Sequence, residues 1–153
     1  LLNAGADNGS DEAGDAAQPN LLKGAKVVAF SGQVNDREAA EKMIDGDPTT
    51  KWCDIGGAPN YVAFDMGEQK TVSRWRLLNA GQENSAFITR TCLLQGRSSE
   101  NEEWRTLDII DNNRNNQVSR PFAPTNVRYV RLFVVSPTQT GGDATRIYEL
   151  ELR

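Results

Sequence analysis

The chain has 153 residues, a formal charge of −4 and no histidine. That length suits one ordinary domain with room for a real core, and the acidic balance argues against nucleic acid or an anionic membrane as partner, because both require a basic face. Without an imidazole, the Ser-His-Asp and Cys-His nucleophile systems and His-ligated metal centres are excluded, and although a carboxylate pair would still be chemically possible, no such pair stands out.

Residues 1–19 are rich in Ala, Gly, Asp and Asn, carry Asp7, Asp11, Glu12 and Asp15 with no basic group, and have no hydrophobic period. They read as a flexible acidic linker joining this piece to a neighbouring domain. Asn8-Gly9-Ser10 matches a glycosylation acceptor only at the level of chance. No apolar run approaches the ~18 residues of a membrane span, so no membrane insertion is expected.

From Asn20 onward, short β-rich runs alternate with Gly, Pro, Asn and Ser clusters, the pattern of an all-β sandwich. The expected strands cover residues 26–29, 61–66, 71–78, 90–96, 104–110, 116–122, 129–135 and 147–152. Eight strands suit a jelly roll. Within 71–78, alternation sets Trp75 and Leu77 against Arg74 and Arg76, so Trp75 belongs to the core. Trp104 opens a strand after a polar turn and is also expected to be buried. Residues 38–44 have the only helical character, with Asp36 as the expected cap. Cys53 and Cys92 sit in apolar contexts and fit no redox or zinc spacing, so free thiols are the default; a bridge between them would be worth about 4 kcal/mol.

Asp45-Gly46-Asp47-Pro48-Thr49-Thr50-Lys51-Trp52 packs hard oxygen donors into a turn before a large aromatic. Calcium takes such oxygens, and Asp-Gly-Asp-Pro is also ordinary turn chemistry without any metal. The other acidic cluster suited to join it, Glu149 and Glu151, falls within the last five residues.

These segments have a family likeness. Asn20-Leu21-Leu22-Lys23-Gly24, the Ile44 to Trp52 stretch and Tyr61-Val62-Ala63-Phe64-Asp65-Met66-Gly67 resemble the start of a discoidin, or coagulation factor V/VIII C-type, domain. Val72-Ser73-Arg74, Thr89-Arg90, Trp104, Arg128-Tyr129-Val130-Arg131-Leu132 and Arg146-Ile147-Tyr148-Glu149-Leu150 look like its later landmarks. The likeness covers residues 20–153, and Lys51-Trp52-Cys53, Asn79-Ala80-Gly81 and Thr89-Arg90 look most like family 32 carbohydrate-binding modules. It implies an eight-stranded, galactose-binding-domain-like sandwich that is non-catalytic, binds terminal galactose, N-acetylgalactosamine or N-acetylglucosamine on glycans, and serves a linked bacterial glycoside hydrolase that is secreted, periplasmic or on the cell surface.

The resemblance also implies a structural Ca²⁺ held by the Lys42 and Asp47 carbonyls, the Asp45 carboxylate, Thr50 through carbonyl and hydroxyl, the Tyr148 carbonyl and the Glu149 carboxylate. The ligand is expected on loops at one end, with Asn79, Glu83, Asn84 and Phe87 as first candidates and Asp54 and Asn60 behind them. Galactose-binding members commonly use a His and an Arg where this chain has Cys53-Asp54 and Asn79, which favours an N-acetylated or different sugar. The alternative is a discoidin domain for protein interaction or adhesion, without sugar binding.

Overall fold

The computed structural model describes residues 18–153, so the expected linker lies outside the described residues except for Gln18 and Pro19. Eight strands form: β1 (Lys26–Phe30), β2 (Trp52–Asp54), β3 (Asn60–Leu78), β4 (Thr91–Arg97), β5 (Arg105–Ile110), β6 (Gln117–Ser136), β7 (Thr145–Ile147) and β8 (Glu149–Leu152). The eight are not the eight expected. Residues 61–66 and 71–78 are one strand, β3, and residues 116–122 and 129–135 are one strand, β6. Gly67 lies between the two expected segments of β3, and Pro124 between the two expected segments of β6. The chain absorbs them as register shifts, between Asp65 and Lys70 and between Val72 and Arg74, while β3 and β6 stay paired.

This pairing builds both layers of the sandwich. From Asn60↔Val134 to Asp65↔Tyr129 the two strands belong to the order β1-β3-β6-β4-β5, and from Lys70↔Val127 to Leu78↔Gln117 they belong to a second layer in which β8 joins the other side of β3. Each long strand therefore runs down one layer and returns up the other, which brings Asn60, Leu78, Gln117 and Ser136 to the same end. The sides that face inward carry Val62, Phe64, Leu94, Leu132, Val134, Trp75, Leu77 and Leu150, all essentially without solvent exposure.

Polar atoms entering this core are matched. Trp75 Nε1 donates to Asp108 Oδ2 at 2.9 Å, and the same carboxylate holds Arg120 at 2.7 and 3.0 Å. Trp52 Nε1 donates to the Gly32 carbonyl at 2.9 Å. Trp75 is core, as expected, whereas Trp104 is only half-buried and lies on the outer face between arginines. The cysteines are both buried and free. Residues 38–44 form no continuous helix: Asp36–Glu38 and Ala40–Ile44 are separate 3₁₀ turns, with extended Ala39 between them. The cap is Asn35, whose Oδ1 accepts from Arg37 N and Glu38 N, one residue before the expected Asp36.

The two ends of the described residues are tied side by side. Asn20 Oδ1 accepts from both Leu22 N (3.1 Å) and Leu152 N (3.0 Å), and Leu21 N donates to the Leu152 carbonyl at 2.7 Å. Arg153 N and O bond with Arg74 and Ser73, close to the turn between the two halves of β3.

Two outcomes are expected. Leu94→Ala, at a fully buried position, should cost about 2–5 kcal/mol in urea unfolding. Asp65 is gripped by Arg128 at 2.9 and 3.1 Å, and that hydrogen bond holds its carboxyl below the usual value of 3.8. A depressed folded value stabilises above the unfolded one and is lost as pH falls through the folded one. The stability gap between the parent and Asp65→Asn should thus be present at neutral pH and close in acid, as read by thermal melts across pH.

Candidate functional site

A short antiparallel ribbon organises the loop end. β2 pairs with β7 in the register Trp52↔Ile147, Cys53↔Arg146, Asp54↔Thr145. Trp52 and Ile147 point into the core and are fully buried. Alternation then places Lys51, Cys53, Arg146 and Tyr148 on the outward side, where the loop of residues 79–90 leans over them.

On that side Lys51 Nζ bridges Glu38 (3.0 Å) and Glu83 (3.1 Å), and Tyr148 Oη donates to Glu83 Oε2 at 2.5 Å. Burial disfavours the Lys51 charge, but the two carboxylates outweigh it and raise its pKa. Burial likewise pushes Glu83 up, and the bonds from Tyr148 and Lys51 more than reverse this. Tyr148 is raised by burial and by Glu83, and the Cys53 thiol is raised chiefly by burial. A thiol so placed is inert at neutral pH.

Beside this network the Arg146 guanidinium lies over the Phe87 ring, 3.6 Å from its centroid. Arg146 is half-buried, and among the described residues no hydrogen bond or carboxylate engages it. Phe87 is half-buried at the end of the 3₁₀ turn Ser85–Phe87. A planar cation fixed on an aromatic face, with its donors unspent, is suited to hold a polyhydroxylated ligand.

The six residues expected at the ligand divide into two groups. Glu83, Asn84 and Phe87 come together on the overhanging loop, with Asn84 capping the 3₁₀ turn by accepting from Ala86 N at 2.9 Å. Asn79, Asp54 and Asn60 are buried, and their polar groups are used internally. Asn79 donates to the Asn116 carbonyl (3.1 Å) and accepts from Thr89 N (3.3 Å). Asp54 accepts from Ser31 Oγ, Asn60 Nδ2 and Gly56 N, and Asn60 Oδ1 accepts from Thr145 Oγ1 at 2.7 Å. Bonded in this way, these three shape the loops. Gly32 and Gly56 fit here because a Cβ on either would meet the Asp54 carboxylate at 3.0 or 3.2 Å. Arg146 is the residue that sequence reasoning passed over. Its signal was the alternation Thr145-Arg146-Ile147, visible only once a strand is assigned there.

The oxygen-rich turn lies directly behind this face. Gly46 takes φ +76°, which a side chain would resist. Asp45 Oδ1 accepts from Asp47 N (2.9 Å), and Thr50 Oγ1 donates to Asp45 Oδ2 (2.6 Å) and reaches the Asp47 carbonyl at 3.2 Å. Glu149, 4 % exposed, presents an Oε2 that is buried and has no hydrogen-bond partner. Its pKa is pushed up to about 8, first by burial, then by Asp45 opposite, then by Glu151. Two facing carboxylates with an orphaned oxygen call for a cation or a proton. No group of three or more His, Cys, Asp or Glu gathers among the described residues, so a cation here would rest on two carboxylates plus carbonyl and hydroxyl oxygens, a donor set that suits Ca²⁺.

The fold is a two-layer jelly roll that carries an aromatic and polar face on the loops at one end. The F5/8 type C domain family model matches residues 27–150, and the chain belongs to that family. It is 38% identical over 85 residues to the endo-beta-N-acetylglucosaminidase EndoSd of Streptococcus dysgalactiae, a match covering 54% of this chain and 9% of that enzyme. The match thus spans about a tenth of that relative's length. Among solved structures, the family 32 carbohydrate-binding module of Streptococcus pneumoniae EndoD superimposes with TM-score 0.77 at 23% identity, over 88% of this chain and 99% of that one. Chitosan-binding module 1 from a chitosanase/glucanase of Paenibacillus sp. IK-5 gives 0.76 at 19% identity, over 89% and 99%. These two likenesses show the shared fold.

Asn60→Ala should cost about 1–3 kcal/mol, because Asp54 and Thr145 lose a buried partner. Urea unfolding would measure it, and a loss much below that range would mean that the buried cluster is not holding the loops.

Proposed function

We propose that this domain is a non-catalytic carbohydrate-binding module that holds terminal hexosamine residues, of N-acetylglucosamine or N-acetylgalactosamine type, on the face formed by Phe87, Arg146, Glu83 and Lys51. The observation that carries the reading is Arg146 resting on Phe87 with its donors free. The ring edge offers a surface for sugar C–H groups, the guanidinium donates to ring or glycosidic oxygens, and Glu83 accepts from a hydroxyl or amide N–H. Asn84 stands beside them at the loop rim. The missing imidazole argues against the usual galactose set, and the names of the relatives, an endo-beta-N-acetylglucosaminidase and a chitosan-binding module, point toward amino sugars.

The reading extends to a linked glycoside hydrolase that the module serves outside the cell or at its surface, and the relatives support it. A shallow site of this kind binds weakly; a millimolar constant is about −4.1 kcal/mol. Tethering to an enzyme offsets this by turning the second contact into an intramolecular one.

The turn behind the face is assigned to a structural Ca²⁺ on the Lys42, Asp47 and Tyr148 carbonyls, Asp45, Thr50 and Glu149. The orphaned Glu149 Oε2 supports it. Bound there, the ion would neutralise the two carboxylates and clamp the turn to the start of β8. Asp45 and Glu149 provide its charge complement, Gly46 sets the turn, and Thr50 lies next to Lys51 of the ligand-side face.

Titration with N-acetylglucosamine, N-acetylgalactosamine and galactose, followed by NMR, tests the first reading. Phe87→Ala and Arg146→Ala should each weaken binding about tenfold or more with melting little changed. If none of the three sugars shifts the amides of residues 79–90 at high millimolar concentration, the sugar reading fails. For the metal, chelator should lower the melting temperature by several degrees, since saturation at about 100-fold Kd is worth about 2.7 kcal/mol. Glu149→Gln should remove that sensitivity. Identical melts in chelator and in Ca²⁺ would refute the assignment.

A further inference from the structure

The outer face of the β1-β3-β6-β4-β5 layer differs from what an ordinary solvated sheet displays. Register aligns Tyr61, Phe133, Leu93 and Ile109 in one row across four strands. Val135, two residues beyond Phe133, extends it. Ile109 and Val135 are 49 % and 45 % exposed, and the other three are half-buried, with no covering element among the described residues. Isolated exposed apolar residues need no explanation, but a contiguous row does.

Two arginines stand beside that row. The Arg131 guanidinium sits among three rings, 4.7 Å from the Trp104 centroid, 4.9 Å from Phe133 and 5.7 Å from Tyr61. Arg97 stacks on the same indole at 4.2 Å. Arg76, Arg120, Arg128 and Arg153 each hold a carboxylate, whereas Arg97 and Arg131 hold none among the described residues. Arg131 spends only Nε, on Gln95 Oε1 at 2.8 Å, and Arg97 spends one Nη on the Glu102 carbonyl at 3.1 Å. The Arg97 Nε is buried and unpartnered. Burial and the neighbouring Arg97 charge both lower the Arg131 pKa, so the pair is held at an electrostatic cost that an anion would relieve.

We propose that this sheet face docks an acidic protein surface that sets carboxylate side chains beside aliphatic ones, the carboxylates on Arg131 and Arg97 and the aliphatic groups on the row from Phe133 through Leu93 to Ile109. Guanidinium groups without a carboxylate are matched by one in bidentate geometry. A sugar fits poorly because the surface beside the two guanidinium groups, Leu93, Ile109 and Val135, is aliphatic and offers nothing to its hydroxyls. A second copy of the chain fits poorly too, because a twofold contact would set Arg131 and Arg97 against their own counterparts. The proposal is independent of the sugar reading, since Phe87 and Arg146 lie on the loops and not on this face.

The test uses two synthetic helical peptides of equal length, one carrying Leu and Glu on one side and the other Leu and Lys, titrated into the isotopically labelled chain. The acidic peptide should shift amides of residues 93–97, 104–109 and 131–135, with the effect weakening as salt is raised, and the basic peptide should not. The double variant Arg97→Gln, Arg131→Gln should bind at least about tenfold more weakly while N-acetylglucosamine still shifts residues 79–90 as in the parent. Should that variant fail to fold, Ile109→Glu, at an exposed edge position, carries the same expectation. Equal binding of both peptides, shifts confined to other surfaces, unchanged affinity in the variants, or an oligouronate binding this face where the acidic peptide does not, would each overturn the proposal.

Discussion

The pairing of β3 with β6 is the constraint on which the rest of this molecule depends. Two strands of 19 and 20 residues stay in register through both layers, so a single hydrogen-bonded ladder decides where the layers bend, which side chains meet in the core and which four strand ends share the loop end. β1, β4, β5 and β8 are attached to this pair. Most contacts are therefore between residues distant in sequence, a topology in which loop closure must precede any gain from burial.

At the loop end the same logic is repeated on a smaller scale. The three-residue ribbon of β2 and β7 has one face locked by Trp52 and Ile147, and that locked face is what allows the other to be polar, charged and half-exposed. A buried cluster, Asp54 with Ser31, Asn60 and Thr145, sets the loops to either side. Rigid support beneath and unspent donors above is the arrangement that weak, shallow recognition needs, because little ordering remains to be done on binding.

Much of the fold was legible in the sequence. Alternation around Trp75 marked a core strand, and the Asp45 to Thr50 turn and Glu149 were visible as oxygen-rich segments that the fold brings together. What was not legible came from tertiary pairing. β2 and β7 are three residues each, too short to carry a period, and only their mutual register makes them strands. Gly67 and Pro124 lie where the expected strands were split, and the continuous pairing of β3 with β6 runs through both. At the site, Asn79, Asp54 and Asn60 were chosen as polar loop residues, yet polarity does not distinguish a group facing solvent from one satisfying buried backbone. Arg146 went unseen because its importance lies in what it rests on. Trp104 was expected to be buried because it opens a strand after a polar turn, but two arginines cover it in place of a second layer.

The knot of hydrogen bonds among Asn20, Leu21 and Leu152 also decides how the domain bears load. Tension applied through the two ends would enter at one corner, pulling apart the first residues and the last strand beside Arg74. The loop face lies at the opposite end of that half of β3, past Leu78. A pull on the chain would thus be resisted by a few bonds at one corner before any strain reached Phe87 or Arg146, leaving the loop face mechanically insulated from that corner.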